Sequence, residues 1–162
     1  MINDKVLEAL NGILNFELDV SRNYLAAAGW CHKQNLPGFA GWCLAHSKSH
    51  EATAFRYFDY IYERGGDVNI GSFGDQNAEF SSVLELVESA MDKEKGLASA
   101  ATALYEVAQS ENDRPVIVTL SNFVILSQVA KEKALNQLID NIKLVGSSGQ
   151  ALIMLDRSLT AK

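Results

Sequence analysis

Several polar side chains of this 162-residue sequence stand at positions where a helical stripe should be apolar. They are Glu17, His46, His50, Glu94, Gln128 and Lys131. Carboxylates and imidazoles can bind a metal ion such as iron, and a carboxylate can also pair with a lysine. A carboxylate inside a helical protein is stable only when it is paired, protonated or bound to metal. The sequence therefore predicts a polar layer that is either a metal site or an internal ion-pair cluster.

The residues around each polar position recur at steps of three or four, which places them on one face of a helix. The second predicted helix shows this best, with the face Phe39, Trp42, His46, His50, Thr53, Tyr57 and Tyr60. We predict one domain, residues 1–162, with helices over about 4–32, 37–64, 82–109, 114–145 and 148–159. Helix starts are marked by Pro37 at a first turn and by the capping box Ser82 and Glu85.

Loop lengths indicate how these helices are arranged. A short connection, 33–36, makes the first two helices antiparallel neighbours. The segment 67–80 is long and rich in glycine and asparagine, and a simple reversal of direction would not need it. A crossover of this length can run along the whole bundle. The prediction is an all-α four-helix bundle with a long crossover between helices 2 and 3 and a short C-terminal fifth helix.

Composition excludes several classes of partner. The net charge is −6 and there is no block of lysines or arginines, which argues against binding nucleic acid and favours a cation. No apolar run is long enough for a membrane span, and no signal segment is present at the start. Cys31 and Cys43 fit no disulfide framework and are interpreted as buried small hydrophobic residues. We expect a cytoplasmic protein.

Specific segments distributed over the whole chain resemble bacterial non-haem ferritins, members of the ferritin-like family. They are NFELDVSRNYLAAAGWC, FRYFDYI, EFSSVLELVESAMDKE and LIDNIKLVGSSGQALIMLDRSL. The resemblance implies a ferritin-like bundle that assembles as a homo-oligomer, a 24-subunit shell storing ferric mineral, with a di-iron oxidation (ferroxidase) centre inside each bundle. It implies iron as the metal, with no haem; Met91 and Met154 are interpreted as packing or surface residues.

Carried over residue by residue, the resemblance retains part of the di-iron centre. The retained residues are the ligand positions Glu17, Glu94 and Gln128, with Tyr24 beside them. Three positions depart from the family: His50 replaces a glutamate, Thr53 a histidine, and Lys131 a glutamate. The carboxylates of a neighbouring third iron position are replaced by Ser49, Ser127 and Ala130. Matching the fourth helix to the family also requires one extra residue in the turn before it.

Charge favours an ion-pair cluster over a complete di-iron centre. Two ferrous ions bring four positive charges, whereas the layer offers Glu17 and Glu94, and Lys131 offsets one of them. We therefore expect Lys131 to pair with these carboxylates in place of a metal. Weak binding of a single iron by Glu17, His50, Glu94 and Gln128 is the alternative.

Three functions remain open at this level. The first is intracellular iron storage as a shell subunit, with ferroxidase activity impaired or absent. The second is a non-catalytic structural subunit that co-assembles with a catalytic ferritin. The third is a mononuclear metal enzyme using Glu17, His50 and Glu94. A DNA-protecting mini-ferritin is disfavoured by the fifth helix and by the lack of a basic tail.

Overall fold

The computed structural model describes residues 1–160, and for Phe123 the backbone alone. Within this range the chain forms α-helices and no strand, which confirms the predicted all-α class. The helices are α1 (Asp4–Lys33), α2 (Pro37–Glu63), α3 (Val83–Ser110), α4 (Arg114–Leu120), α5 (Leu126–Val145) and α6 (Gly149–Thr160). A π turn, Ser121–Ile125, joins α4 to α5, so the predicted fourth helix is continuous but contains one wider turn.

The connection between α2 and α3 runs along α1, as predicted for a crossover. Near the start of α1, Asn11 accepts a hydrogen bond from the backbone N–H of Asn69 at 2.7 Å. Two turns later, Gln76 donates to Asp19 at 2.8 Å. Near the end of α1, the ring of Trp30 meets that of Phe80 edge-on, with centroids 5.6 Å apart. The connector thus spans most of the length of α1 and makes α2 and α3 parallel.

Helix α6 is fixed to the bundle by its Asp156 carboxylate, which binds the start of α2. The residue before α2, Leu36, gives this helix no side-chain cap. The buried carboxylate of Asp156 does so instead, accepting hydrogen bonds from the N–H groups of Gly38 at 3.1 Å and Phe39 at 2.8 Å. A β-carbon on Gly38 would lie 1.8 Å from the Asp156 carbonyl oxygen, so the close approach of α6 requires glycine there.

The hydrophobic core lies between the helices, and the polar layer interrupts it at mid-height. The layer residues Glu17, His50, Glu94 and Gln128 are all buried. Among the described residues, no helix is both long and apolar enough to cross a membrane.

Candidate functional site

The centre of the layer is an ion-pair triad formed by α1, α2 and α3. The Nδ1 atom of His50 lies 2.6 Å from the Glu17 carboxylate, and its Nε2 atom lies 2.6 Å from the Glu94 carboxylate. His50 is 0% exposed. A neutral imidazole has only one N–H, so donating to both carboxylates requires the doubly protonated, positively charged ring. Burial alone would lower the pKa of His50, but the hydrogen bonds that its ring donates to Glu17 and Glu94 raise the pKa above its ordinary value.

Glu94 is the most heavily bonded member of the triad. Its carboxylate also accepts a hydrogen bond from the Gln128 amide at 3.0 Å and one from the Tyr24 hydroxyl at 3.3 Å. The Gln128 amide further donates to the Glu94 backbone carbonyl at 2.8 Å, which ties α5 to α3. Burial would raise the pKa of Glu94, yet the His50 and Gln128 hydrogen bonds and the charge of Lys131 hold it below its usual value. Glu94 is therefore ionised.

An aromatic stack covers one side of the triad. The Tyr24 ring is stacked on His46 and His50, with centroids 5.0 and 5.5 Å away, and Trp42 lies against His46 at 4.5 Å. Burial lowers the pKa of His46 to about 4, so this imidazole is neutral at physiological pH. Donor atoms of His46, His50 and Glu94 all lie within 4.8 Å of one another. The sequence placed His46 in the polar layer but did not name it among the metal ligands.

Lys131 does not take the place that the sequence predicted for it. Throughout the described chain, the cation within ion-pair distance of Glu17 and Glu94 is His50, and Lys131 is half-buried beside the layer. The reason is geometric, because the His50 ring already fills the space between the two carboxylates and bonds each through one nitrogen. Lys131 instead lines a cavity of about 180 Å³ with Glu17 and Gln128.

Thr53 also contributes no free donor to the triad. Its hydroxyl donates to the backbone carbonyl of Ser49 at 3.0 Å, one turn earlier on α2. Thr53 and Ser49 both line the same cavity as Lys131. Arg56, three residues after Thr53 on α2, lines it too. Sequence reasoning did not single out Arg56, although its helical spacing from Thr53 places it on the same side of α2.

These residues do not fit a di-iron centre. Both carboxylates of the layer are engaged with the imidazolium of His50, and Glu94 accepts two further hydrogen bonds. Iron ions prefer oxygen and imidazole ligands whose charge offsets their own. Here the triad contributes one net negative charge, and Lys131 adds a positive charge nearby. The layer is electrostatically complete without a metal.

Comparisons with known proteins agree with this architecture. The bacterial non-heme ferritin of Staphylococcus aureus (strain USA300) is 26% identical over 162 residues, covering 100% of this chain and 97% of that protein. The bacterial non-heme ferritin of Staphylococcus haemolyticus (strain JCSC1435) is 28% identical over the same coverage.

Solved structures are similar over the whole chain. The open pore ferritin from the hyperthermophilic archaeon Archaeoglobus fulgidus superimposes with a TM-score of 0.97 at 27% identity, covering 100% of this chain and 99% of that one. A humanized archaeal ferritin gives a TM-score of 0.97 at 26% identity, with 100% and 98% covered. The model of the ferritin-like domain matches residues 7–145. The chain belongs to the ferritin-like domain family.

Proposed function

We propose that this protein is an iron-storage subunit of a ferritin shell whose own site for oxidising ferrous iron is impaired or absent. Membership of the ferritin-like family and likeness to bacterial non-heme ferritins support storage. The observation that carries the second half is the His50 ring, which bonds Glu17 and Glu94 at 2.6 Å on each side. The carboxylate oxygens that would bind iron are instead hydrogen-bonded to the imidazolium ion of His50.

The charge balance explains why iron would not simply displace this ring. His50 is 0% exposed on the inward face of α2, so its ring cannot move into solvent without disrupting the helix packing. It would have to lose a proton and two hydrogen bonds to charged partners, and each such bond contributes about 1.5–3 kcal/mol. A ferrous ion would also meet the positive charge of Lys131 close by.

Assembly as a 24-subunit shell in the cytoplasm, either of this chain alone or together with a catalytic ferritin subunit, is part of this proposal. The likeness to ferritins over the full chain supports a shell. A subunit without an oxidation centre can still hold mineral if ferrous iron is oxidised elsewhere. A catalytic ferritin subunit in a mixed shell would provide that oxidation.

The test is aerobic oxidation of ferrous iron by the purified protein alone, followed by a count of the iron retained per shell. We expect oxidation no faster than in buffer, and mineral retained only when oxidation is provided by a catalytic ferritin co-assembled with this chain. Glu17→Gln should leave the oxidation rate unchanged. Rapid oxidation by the wild type, lost in Glu17→Gln, would contradict the proposal.

A single-metal site is a second candidate, favoured by one observation. The donor atoms of His46, His50 and Glu94 lie within 4.8 Å of one another, and His46 is neutral and thus able to bind a metal. Anaerobic calorimetry with ferrous ion would reveal it as one ion per chain, lost in His46→Gln and in Glu94→Gln. Absence of any saturable binding would leave the ion-pair triad as the only role of the layer.

A further inference from the structure

The two cysteines of the chain form a pair near one end of the bundle, away from the polar layer. Cys31 lies in the last turn of α1 and Cys43 in the second turn of α2, on either side of the short connection 34–36. Both thiols are free and 0% exposed, and both belong to the hydrophobic core. Their side chains are hydrogen-bonded to each other across the two helices. The sulfur atoms of a disulfide are about 2.0 Å apart, so atoms already in hydrogen-bond contact have only a short distance to close.

The hydrogen bond makes the two thiols chemically unequal. Cys43 stabilises the thiolate of Cys31, which lowers the pKa of Cys31 against the opposing effects of burial and of the Asp156 charge. The same hydrogen bond, together with burial, raises the pKa of Cys43. A thiolate attacks an oxidant, whereas a protonated thiol is a poor nucleophile. Cys31 is therefore the nucleophile of the pair, and Cys43 is the thiol that supplies the second sulfur.

The surroundings of the pair favour a disulfide over a bound metal ion. Within residues 1–160, the group of three or more histidine, cysteine and acidic side chains that could hold a metal ion lies in the polar layer and includes neither cysteine. Two thiolates would also place charge in the apolar core, where the carboxylate of Asp156 already acts on Cys31. A disulfide carries no charge and no hydrogen-bond donor, so the core can contain it without a further partner.

We propose that Cys31 and Cys43 are an oxidation site, at which hydrogen peroxide converts the two thiols to a reversible disulfide. The Cys31 thiolate attacks one oxygen of peroxide and breaks the O–O bond, which leaves a sulfenic acid on Cys31 and releases hydroxide that takes up a proton. The sulfur of Cys43 then forms the S–S bond and displaces the sulfenic oxygen as water. In total, two thiols and one peroxide give one disulfide and two water molecules, and the two electrons pass from sulfur to oxygen.

Peroxide reaches the pair through local opening of the helix ends. Both cysteines lie within two turns of the connection 34–36, and helix ends open at a much lower free energy than the whole bundle. Hydrogen peroxide is only slightly larger than water, so a small opening is sufficient. The proposal goes beyond iron storage and does not depend on it, because the reaction needs only two thiols and peroxide.

The test is treatment of the reduced, metal-free, full-length protein with hydrogen peroxide, followed by alkylation of the remaining thiols and mass spectrometry. We expect the chain to lose two hydrogen atoms and both alkylation sites, and to regain them after treatment with a dithiol reductant. Trypsin cleaves after Arg22, Lys33 and Lys48, so the two cysteines fall on separate peptides that the disulfide would join. A denaturing gel without reductant should show a monomer, because the bond lies within one chain.

Single substitutions distinguish the two roles. In Cys43→Ser the sulfenic acid of Cys31 has no thiol to react with, so a 1,3-diketone reagent should label it. In Cys31→Ser the nucleophile is absent, and Cys43 should stay reduced at the same peroxide dose. Circular dichroism of each variant checks that it is folded. Met154→Leu is the control, because it removes an exposed thioether that peroxide also oxidises and should leave disulfide formation unchanged.

Two results would overturn the proposal. One is a wild type that retains both thiols after peroxide has already converted Met154 to the sulfoxide. The other is a disulfide that joins two different chains, which would show random contact between molecules rather than a pair within the fold. Because no iron is present, neither result bears on storage, which the oxidation and retention assay tests separately.

Discussion

Replacing His50 by leucine should destabilise the protein strongly, since it removes the single cation that bridges two buried carboxylates. Glu17 and Glu94 are 5% and 0% exposed, so neither can regain water without disturbing the bundle. Removing one partner of a buried ion pair costs about 3–5 kcal/mol, because the charge left behind is uncompensated. For a chain of this length, 1 kcal/mol shifts the melting temperature by about 2–4 °C. We therefore expect His50→Leu to melt about 6–20 °C below the wild type.

The assay is thermal unfolding followed by circular dichroism at one fixed protein concentration, because assembly makes the melting temperature depend on concentration. His32→Leu is the matched control: the same substitution at an exposed histidine near the end of α1, outside the layer. Exposed substitutions usually change stability by no more than about 0.5 kcal/mol, so this variant should melt within about 2 °C of the wild type.

A charge-neutral triple variant separates the ion-pair explanation from simple packing. Combining His50→Leu with Glu17→Gln and Glu94→Gln removes all three charges, and replacing a whole buried cluster is often close to neutral. This variant should recover most of the lost melting temperature. If His50→Leu melts like the wild type, or if the triple variant is no better than the single one, the triad does not stabilise the bundle as its geometry indicates.

The pH dependence provides a further check on the same triad. His50 has a raised pKa in the folded state, so its contribution is complete below the ordinary value of 6.5 and is lost as the pH rises through the folded value. Glu94 has a lowered pKa, so its contribution is present above the ordinary value of 4.5 and is lost as the pH falls through the folded value. The deficit of His50→Leu should therefore be largest between pH 4.5 and 6.5, where both contributions are complete, and should shrink as the pH rises through the folded pKa of His50 or falls through that of Glu94. A deficit that does not vary with pH would refute charge as its cause.

Further changes test the site and the docking of α6. The triple substitution His50→Glu, Thr53→His and Lys131→Glu should create oxidation of ferrous iron where the parent protein has little, as measured by the aerobic assay. If the triple variant gains no activity, residues other than these three cause the low activity of the parent protein. Asp156→Ala should cost about 1 kcal/mol by uncapping α2 and should make α6 more susceptible to limited proteolysis. Gly38→Ala should have a larger effect of the same kind, because its β-carbon would lie 1.8 Å from the Asp156 carbonyl oxygen; protection of α6 equal to that of the wild type would contradict this.

The fold could be predicted because its signals are local. The face that contains Phe39 and Tyr57 repeats at helical spacing, and Ser82 caps α3 through the N–H of Glu85 at 3.1 Å. The length of the connector alone indicated a crossover. What the sequence could not show is a contact between residues far apart, such as Asp156 capping a helix that begins 119 residues earlier, at Pro37.

The sequence predicted the height of the polar layer in the bundle, but not which of its charged side chains pair with each other. Helical spacing placed Glu17, Glu94 and Lys131 at a common height, yet which cation reaches the carboxylates depends on helix rotation and side-chain rotamers. The π turn Ser121–Ile125 adds to the difficulty, because one wider turn changes the direction of every side chain after it and carries no sequence signature of its own. Lys131 therefore faces the cavity, while His50, predicted only as a weak ligand, provides the charge.

The triad and the cavity together explain why restoring a metal site should take several substitutions at once. A bound metal ion in a bundle both does chemistry and links helices, and the His50 imidazolium retains the second role by joining α1 to α3 through α2. Lys131→Glu alone would leave this ring in place, with both carboxylates still engaged. His50→Glu alone would gather three carboxylates around an empty centre that Lys131 could then enter. Removal of both His50 and Lys131, together with a new histidine at Thr53, is needed to leave unpaired carboxylate oxygens and a net negative charge that ferrous ions can balance.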